Sequence, residues 1–146
     1  MNAKTDMIKL YSQRILALAA EIPNHRRLEA PGATVKRRAP LCGSAITVDL
    51  TCENGAVTAF GQDVKACALG QAAASVVGGA IVGCSAAQVR EARDALQRML
   101  TEDGPTPPAP FDGLEVLRPA QDYKNRHASI MLSLEAAVEA LETACV

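Results

Sequence analysis

The sequence predicts an α+β fold in which a small antiparallel sheet carries helices packed on one face. Three patterns lead there. Apolar residues alternate at Ile46, Val48, Leu50 and Cys52, and an Asn-Gly pair follows at 54–55, the signature of a hairpin. Apolar residues at helical spacing open and close the chain. Between them, Ala66 to Val89 is an uncharged run rich in Ala, Gly and Ser.

The first helix is expected over residues 6–22, where Ile8, Tyr11, Ile15, Leu18 and Ile22 share a face until Pro23 and Asn24 end the pattern. A strand is expected from Ile46 to Thr51 and its hairpin partner from Ala56 to Phe60. After Gly61 the pattern turns helical, first from about Cys67 to Val77, with Gly78 and Gly79 marking the end, then from about Ala86 to Leu100. Ser85 and Gln88 fit a capping box for that second helix, and Val89, Ala92, Leu96 and Leu100 form its buried stripe. The stretch EDGPTPPAPFDG breaks all periodicity and reads as an extended connection, followed by a short turn around Phe111 to Leu117. The last helix spans about Arg126 to Thr143, with Ile130, Leu134, Ala137, Val138 and Leu141 on one face.

At 146 residues the chain is expected to form one domain, 1–146, large enough to bury a core without disulfide staples. Five cysteines and no leader pattern point to free thiols in a reducing, cytoplasmic compartment. The run from Ala66 to Val89 is long enough to span a bilayer, but its small residues, Gln71, Gln88 and the glycine pair argue for a helix packed under a sheet, so no membrane partner is expected. With no Trp, two Tyr and two Phe, base stacking and nucleic-acid binding are not expected. The net charge of -1 hides an asymmetry: residues 1–38 carry eight Lys and Arg against three Asp and Glu, and the rest carries seven against thirteen. Most of the basic excess is Arg26, Arg27, Lys36, Arg37 and Arg38, read as a solvated loop that complements the acidic body or docks an acidic partner or a phosphate backbone.

Candidate chemistry rests on two thiols. Cys42, in APLCGSAITVDL, lies between a turn and a strand; Cys67, in VKACALGQAAAS, opens the small-residue helix, where the amide dipoles favour a thiolate. Thiolates are nucleophiles and soft-metal ligands, and a zinc or iron site would need further donors, of which His127 in NRHAS is the third candidate. Cys52 is expected as an inert buried thiol, Cys84 as structural, Cys145 as lying outside any preorganised site, and His25 as part of the exposed basic loop. No CxxC pair, GxGxxG, Walker loop or GxSxG elbow is present, and a Cys-His nucleophile pair is possible on residue types alone.

The segments LYSQRILALAAEIPN, APLCG, GAVTAFGQDVKACALGQAAAS and RHASIMLSLEAAVEAL follow in order, and in them the chain resembles the U-type iron-sulfur cluster scaffolds, the NifU N-terminal domain with its IscU and SufU relatives. The resemblance runs through nearly the whole chain. It implies the SufE/NifU-like α+β fold, a cluster (2Fe-2S) or zinc held at one end, and a cysteine desulfurase as sulfur source. Cys42 and Cys67 fall on the first and second ligand cysteines. The family's aspartate after Cys-Gly is Ser44 here, and its third cysteine falls on Ser129 or, with a two-residue shift, on His127. The Leu-Pro-Pro-Val-Lys segment of IscU members is missing, the nearest sequence being RPAQDYKNR.

The expected function is therefore a scaffold or carrier for iron and iron-sulfur clusters, with Cys42, Cys67 and His127 as metal ligands. It would take sulfur from a cysteine desulfurase and pass clusters to recipient apo-proteins without turning over a small substrate. Two protomers that share a cluster would supply four thiolates. The alternatives are a zinc-dependent sulfur-transfer partner similar to SufU and a metal-free interaction protein on the same fold.

Overall fold

A computed structural model describes residues 12–40 and 43–145. Helix α1 spans Gln13–Ala20, with the Ser12 hydroxyl accepting from the Ile15 amide as its cap. Of the predicted 6–22 helix, residues 6–11, with Ile8 and Tyr11, lie outside the described residues, and the chain leaves the helix after Ala20.

Three strands, β1 (Ala33–Ala39), β2 (Ser44–Glu53) and β3 (Ala56–Lys65), pair antiparallel in the order β1-β2-β3. The hairpin between β2 and β3 turns at Asn54 and Gly55 with φ of 53° and 79°, the two left-handed positions for which Asn-Gly is suited. Near it one extra residue bulges the ladder, since Thr51 faces Ala59 while Cys52 faces Val57. Ile46, Val48 and Leu50 lie on the face packed against the helices and are all but fully buried.

β1 was expected as a basic loop; it is the sheet's edge strand. Ala33, Val35, Arg37 and Ala39 pair with Leu50, Val48, Ile46 and Ser44 on the helix side, and Lys36 and Arg38 project from the other face. Arg37 can point inward because Glu135 and Glu139 meet its guanidinium at 3.1 and 3.6 Å. Lysine and arginine along an exposed edge also discourage pairing with a foreign strand. Arg27 is not free either: with the Leu28 amide and the Thr34 hydroxyl it satisfies the buried carboxylate of Asp49, at 2.6, 3.0 and 2.6 Å. His25 is exposed, as expected, yet its Nε2 accepts the edge amide of Val64 at 3.2 Å.

The helices cover one face of the sheet. α2 spans Ala68–Ala80, α3 Ala86–Glu102, a 3-10 helix Asp112–Asp122, and α4 Lys124–Ala144. α4 lies on β1 and β2 with α2 and α3 beside it, and α1 packs on α2. The capping box of Ser85 and Gln88 closes as predicted, and Val89, Ala92, Leu96 and Leu100 are buried. Gly78 and Gly79 do not end α2 but sit inside it. A Cβ at Gly78 would meet the Pro23 carbonyl oxygen at 2.7 Å, so glycine is what lets the turn after α1 lie on the helix. Asn24 then donates from its amide to the Gly78 carbonyl at 3.0 Å. The predicted turn at 111–117 is a longer 3-10 helix anchored by the buried Phe111, Leu114 and Leu117. Among the described residues no helix is long and apolar enough to cross a membrane.

Two cysteine expectations are overturned. Cys52 is not a free inert thiol, and Cys145 is not a loose terminal one: they form a disulfide across 93 residues. The physical reason lies in α4, which stays helical to Ala144 and delivers Cys145 to the hairpin end of β2. Among the described residues the free thiols are Cys67 and Cys84.

Candidate functional site

β2 begins, and β3 ends, at the same end of the sheet, so Ser44 and Cys67 are brought close although 23 positions separate them. α4 begins there as well, which adds Ser129 from its second turn. The Ser44 and Ser129 hydroxyls are 2.8 Å apart and buried, and Ser129 Oγ lies 3.6 Å from Cys67 Sγ. Cys42, two residues before Ser44 in sequence, lies outside the described residues.

Close packing of α2 on α4 produces this contact. Gly70 sits in the first turn of α2, and a Cβ there would collide with the Ser129 hydroxyl and come within 2.9 Å of the Ala66 methyl. A side chain at position 70 would therefore push Ser129 away from Cys67. Sequence reading passed over Gly70 as one more small residue in an Ala-rich helix. Its position three residues after a helix-opening cysteine was the available signal.

Cys67 is the N-cap of α2 and half-buried. Burial alone would push its thiol pKa up, but the amides of Gly70 and Leu69, the Ser129 hydroxyl and the charge of Arg126 outweigh it, so the pKa falls below that of an ordinary thiol. The amides act as oriented dipoles at the helix start, without closing a formal cap hydrogen bond to sulfur. Cys84 is the contrast: buried, with Sγ directed to the Ala80 carbonyl at 3.3 Å, its pKa is raised by desolvation.

His127 is placed differently from Ser129. Two residues along a helix is a rotation of about 200°, and the half-buried imidazole donates from Nε2 to the Ala120 carbonyl at 2.9 Å, back toward the 3-10 helix. Ser129 is the α4 side chain that reaches Cys67. Among the described residues no three His, Cys, Asp or Glu side chains gather closely enough to hold a metal ion. The described donor set is thus one thiol of lowered pKa and two hydroxyls. One soft donor and two hydroxyls fall short of a closed tetrahedral metal site.

Outside this site, the exposed face of the sheet holds a shallow recess of about 100 Å³ lined by Lys36, Arg38, Ala45, Thr47, Asp63 and Lys65. It carries Lys36 and Arg38 of the basic excess.

The chain resembles solved structures over nearly its full length. A nitrogen-fixing NifU-like protein (N-terminal) from Brucella abortus superposes with a TM-score of 0.93 at 40% identity, over 95% of this chain and 96% of that one. A protein from Fervidobacterium islandicum, described as an iron-sulfur cluster assembly scaffold for the SUF system, gives a TM-score of 0.81 at 17% identity, over 92% and 98%. A hypothetical protein gives 0.80 at 20% identity, over 92% and 98%. At those two lower identities the fold alone is shared. No family model matches the chain, and no curated protein gives a significant match.

Proposed function

From its membership of the NifU-like N-terminal domain family, to which the chain belongs, we propose that it is a scaffold or carrier for iron-sulfur clusters, charged with sulfur by a cysteine desulfurase. The cluster is cargo, held by the thiolates of Cys42 and Cys67, and the recipients are apo-proteins. The observation that carries this reading is the meeting of Ser44, Cys67 and Ser129 at the end of the sheet where β2 begins, two residues after Cys42 in sequence. On the family resemblance, Ser44 and Cys67 stand at ligand-pattern positions, and Ser129 at one of the two positions open to its third cysteine.

Two hydroxyls in place of a carboxylate and a thiolate give a less anionic, weaker donor set than four anionic groups would. A cluster on this chain would be completed by a second protomer or by a recipient's ligands, which favours transfer over storage. The hydrogen bond from His127 Nε2 to the Ala120 carbonyl leaves Nδ1 as the nitrogen through which His127 would serve as a ligand. A resident zinc, or a 2Fe-2S cargo, is compatible with thiolate donors. The cytoplasm, a reducing compartment, suits such thiol chemistry.

A sulfur-relay reading, with zinc in the SufU manner, is favoured by one observation: the lowered pKa of Cys67. The Cys67 thiolate would attack the outer sulfur of a desulfurase persulfide. The S–S bond of that persulfide breaks, the desulfurase thiolate leaves, and the sulfur stays on Cys67 as a new persulfide.

Anaerobic reconstitution with iron and a sulfide donor tests the first reading, by absorption spectrum and by iron, sulfide and zinc content. A visible charge-transfer band with matched iron and sulfide is expected, and Cys67→Ala is expected to lose essentially all of it. Stoichiometric zinc without colour selects the relay. Protein without metal under both conditions, at undiminished stability, refutes both and leaves an interaction protein.

A further inference from the structure

We infer that Cys52 and Cys145 are a redox-responsive clasp that fastens the last turn of α4 to the hairpin end of the sheet. Two independent features place the sulfurs together. The Cα atoms are 5.4 Å apart, within the range a disulfide requires. Gly32 lies at the same junction: a Cβ there would press on the Leu50 carbonyl at 3.3 Å and sit in ordinary contact with the Ala144 methyl at 3.6 Å, so the end of α4 packs directly on the sheet beside Leu50. Cys145 follows Ala144 directly, and Cys52 lies on the helix-facing side of β2 two residues beyond Leu50.

Both cysteines are half-buried rather than sealed in the core, so small thiols and disulfides can reach them. Closure proceeds by exchange with a low-molecular-weight disulfide such as oxidised glutathione. One cysteine thiolate attacks a glutathione sulfur and expels the first glutathione thiolate. The other cysteine thiolate then attacks the protein sulfur of that mixed disulfide and expels the second. The pair gives up two electrons and two protons, and the glutathione disulfide is reduced to two thiols. Excess reduced glutathione reverses both steps. The clasp lies at the opposite end of β2 from Ser44, about 25–30 Å away for a ten-residue strand, so it opens and closes without using the thiol of Cys67.

The full-length protein is equilibrated in glutathione buffers from fully reduced to fully oxidised, blocked with an alkylating agent, and analysed by intact mass and peptide mapping beside thermal unfolding. One two-thiol transition is expected, mapping to Cys52 and Cys145, with the oxidised form melting roughly 10 °C higher because the bond closes a long loop. Cys145→Ser in oxidising buffer is expected to melt with the reduced wild type, which separates loss of the clasp from general damage. Cys52 and Cys145 both alkylated in oxidised glutathione, or either joined to another cysteine, would overturn the inference. So would oxidation that leaves the melting temperature unchanged.

Discussion

The two ends of the sheet handle the same residue type in opposite ways. At the β2 entry, Cys67 is a free thiol among oriented amides, hydroxyls and a nearby arginine, all of which favour its charge. At the hairpin end, Cys52 is bonded to Cys145, and its nucleophilicity is spent in holding α4 down. Cysteine type alone does not distinguish them. What does is which long-range element arrives: the start of α4 brings a hydroxyl, its end brings a thiol. One helix thus contributes to the chemistry at both ends, beside the α2 amides at the entry end.

The largest expected effect comes from a residue between the ends. Asp49 is buried and holds Arg27, Leu28 and Thr34, so Asp49→Asn is expected to cost about 2 kcal/mol in chemical denaturation by placing an amide NH2 among groups that all donate. It should leave the alkylation rate of Cys67 in the folded protein unchanged, and a change there would show that the ends are coupled through the sheet. The same carboxylate sets an acid limit. Burial raises its pKa, but Arg27, Thr34 and Leu28 more than compensate, and the folded value lies below the unfolded one. Its contribution is present above the unfolded carboxylate pKa, about 3.9, and is lost as pH falls through the lower folded value. An acid titration of Asp49→Asn should lack that part of the transition.

Next in size is the difference between the two free thiols. At neutral pH Cys67 should react with iodoacetamide at least about tenfold faster than Cys84, because one pKa is lowered and the other raised. Ser129→Ala removes a donor to the thiolate and should move the Cys67 pH-rate profile to higher pH, while Cys84 stays as it was. Equal rates at the two thiols would erase the distinction drawn for the entry end.

The smallest effect is expected near the hairpin end, where Cys84 and Ser85 run beside Ala56 and Val57 and the Val57 amide donates to the Cys84 carbonyl. Ser85→Ala opens the capping box of α3 and should cost about 1 kcal/mol. The disulfide should still form in that variant.

Local signals were legible in the sequence. The Asn-Gly hairpin, the Ser85 cap and the buried stripes of α3 and α4 depend on residues a few positions apart, and the structure places them where the spacing indicated. β1 escaped because its inward Arg37 is satisfied by Glu135 and Glu139, about a hundred residues away. The disulfide escaped for the same reason. Gly78 was misread as a helix end because its purpose, room for the Pro23 carbonyl, lies outside the helix. At the site, Cys67 at a helix start was readable from local order, whereas the choice between Ser129 and His127 needed the register of α4 against α2.

That register can be put to a direct measurement: cluster retention, as decay of the reconstituted charge-transfer band in the presence of a chelator, in Ser129→Cys and His127→Cys. Ser129 faces Cys67, so a thiol there adds a soft ligand and should slow cluster loss by roughly tenfold, while His127→Cys should decay like the wild type. Faster retention gains at position 127, with none at 129, would contradict the placement of the site at Ser44, Cys67 and Ser129.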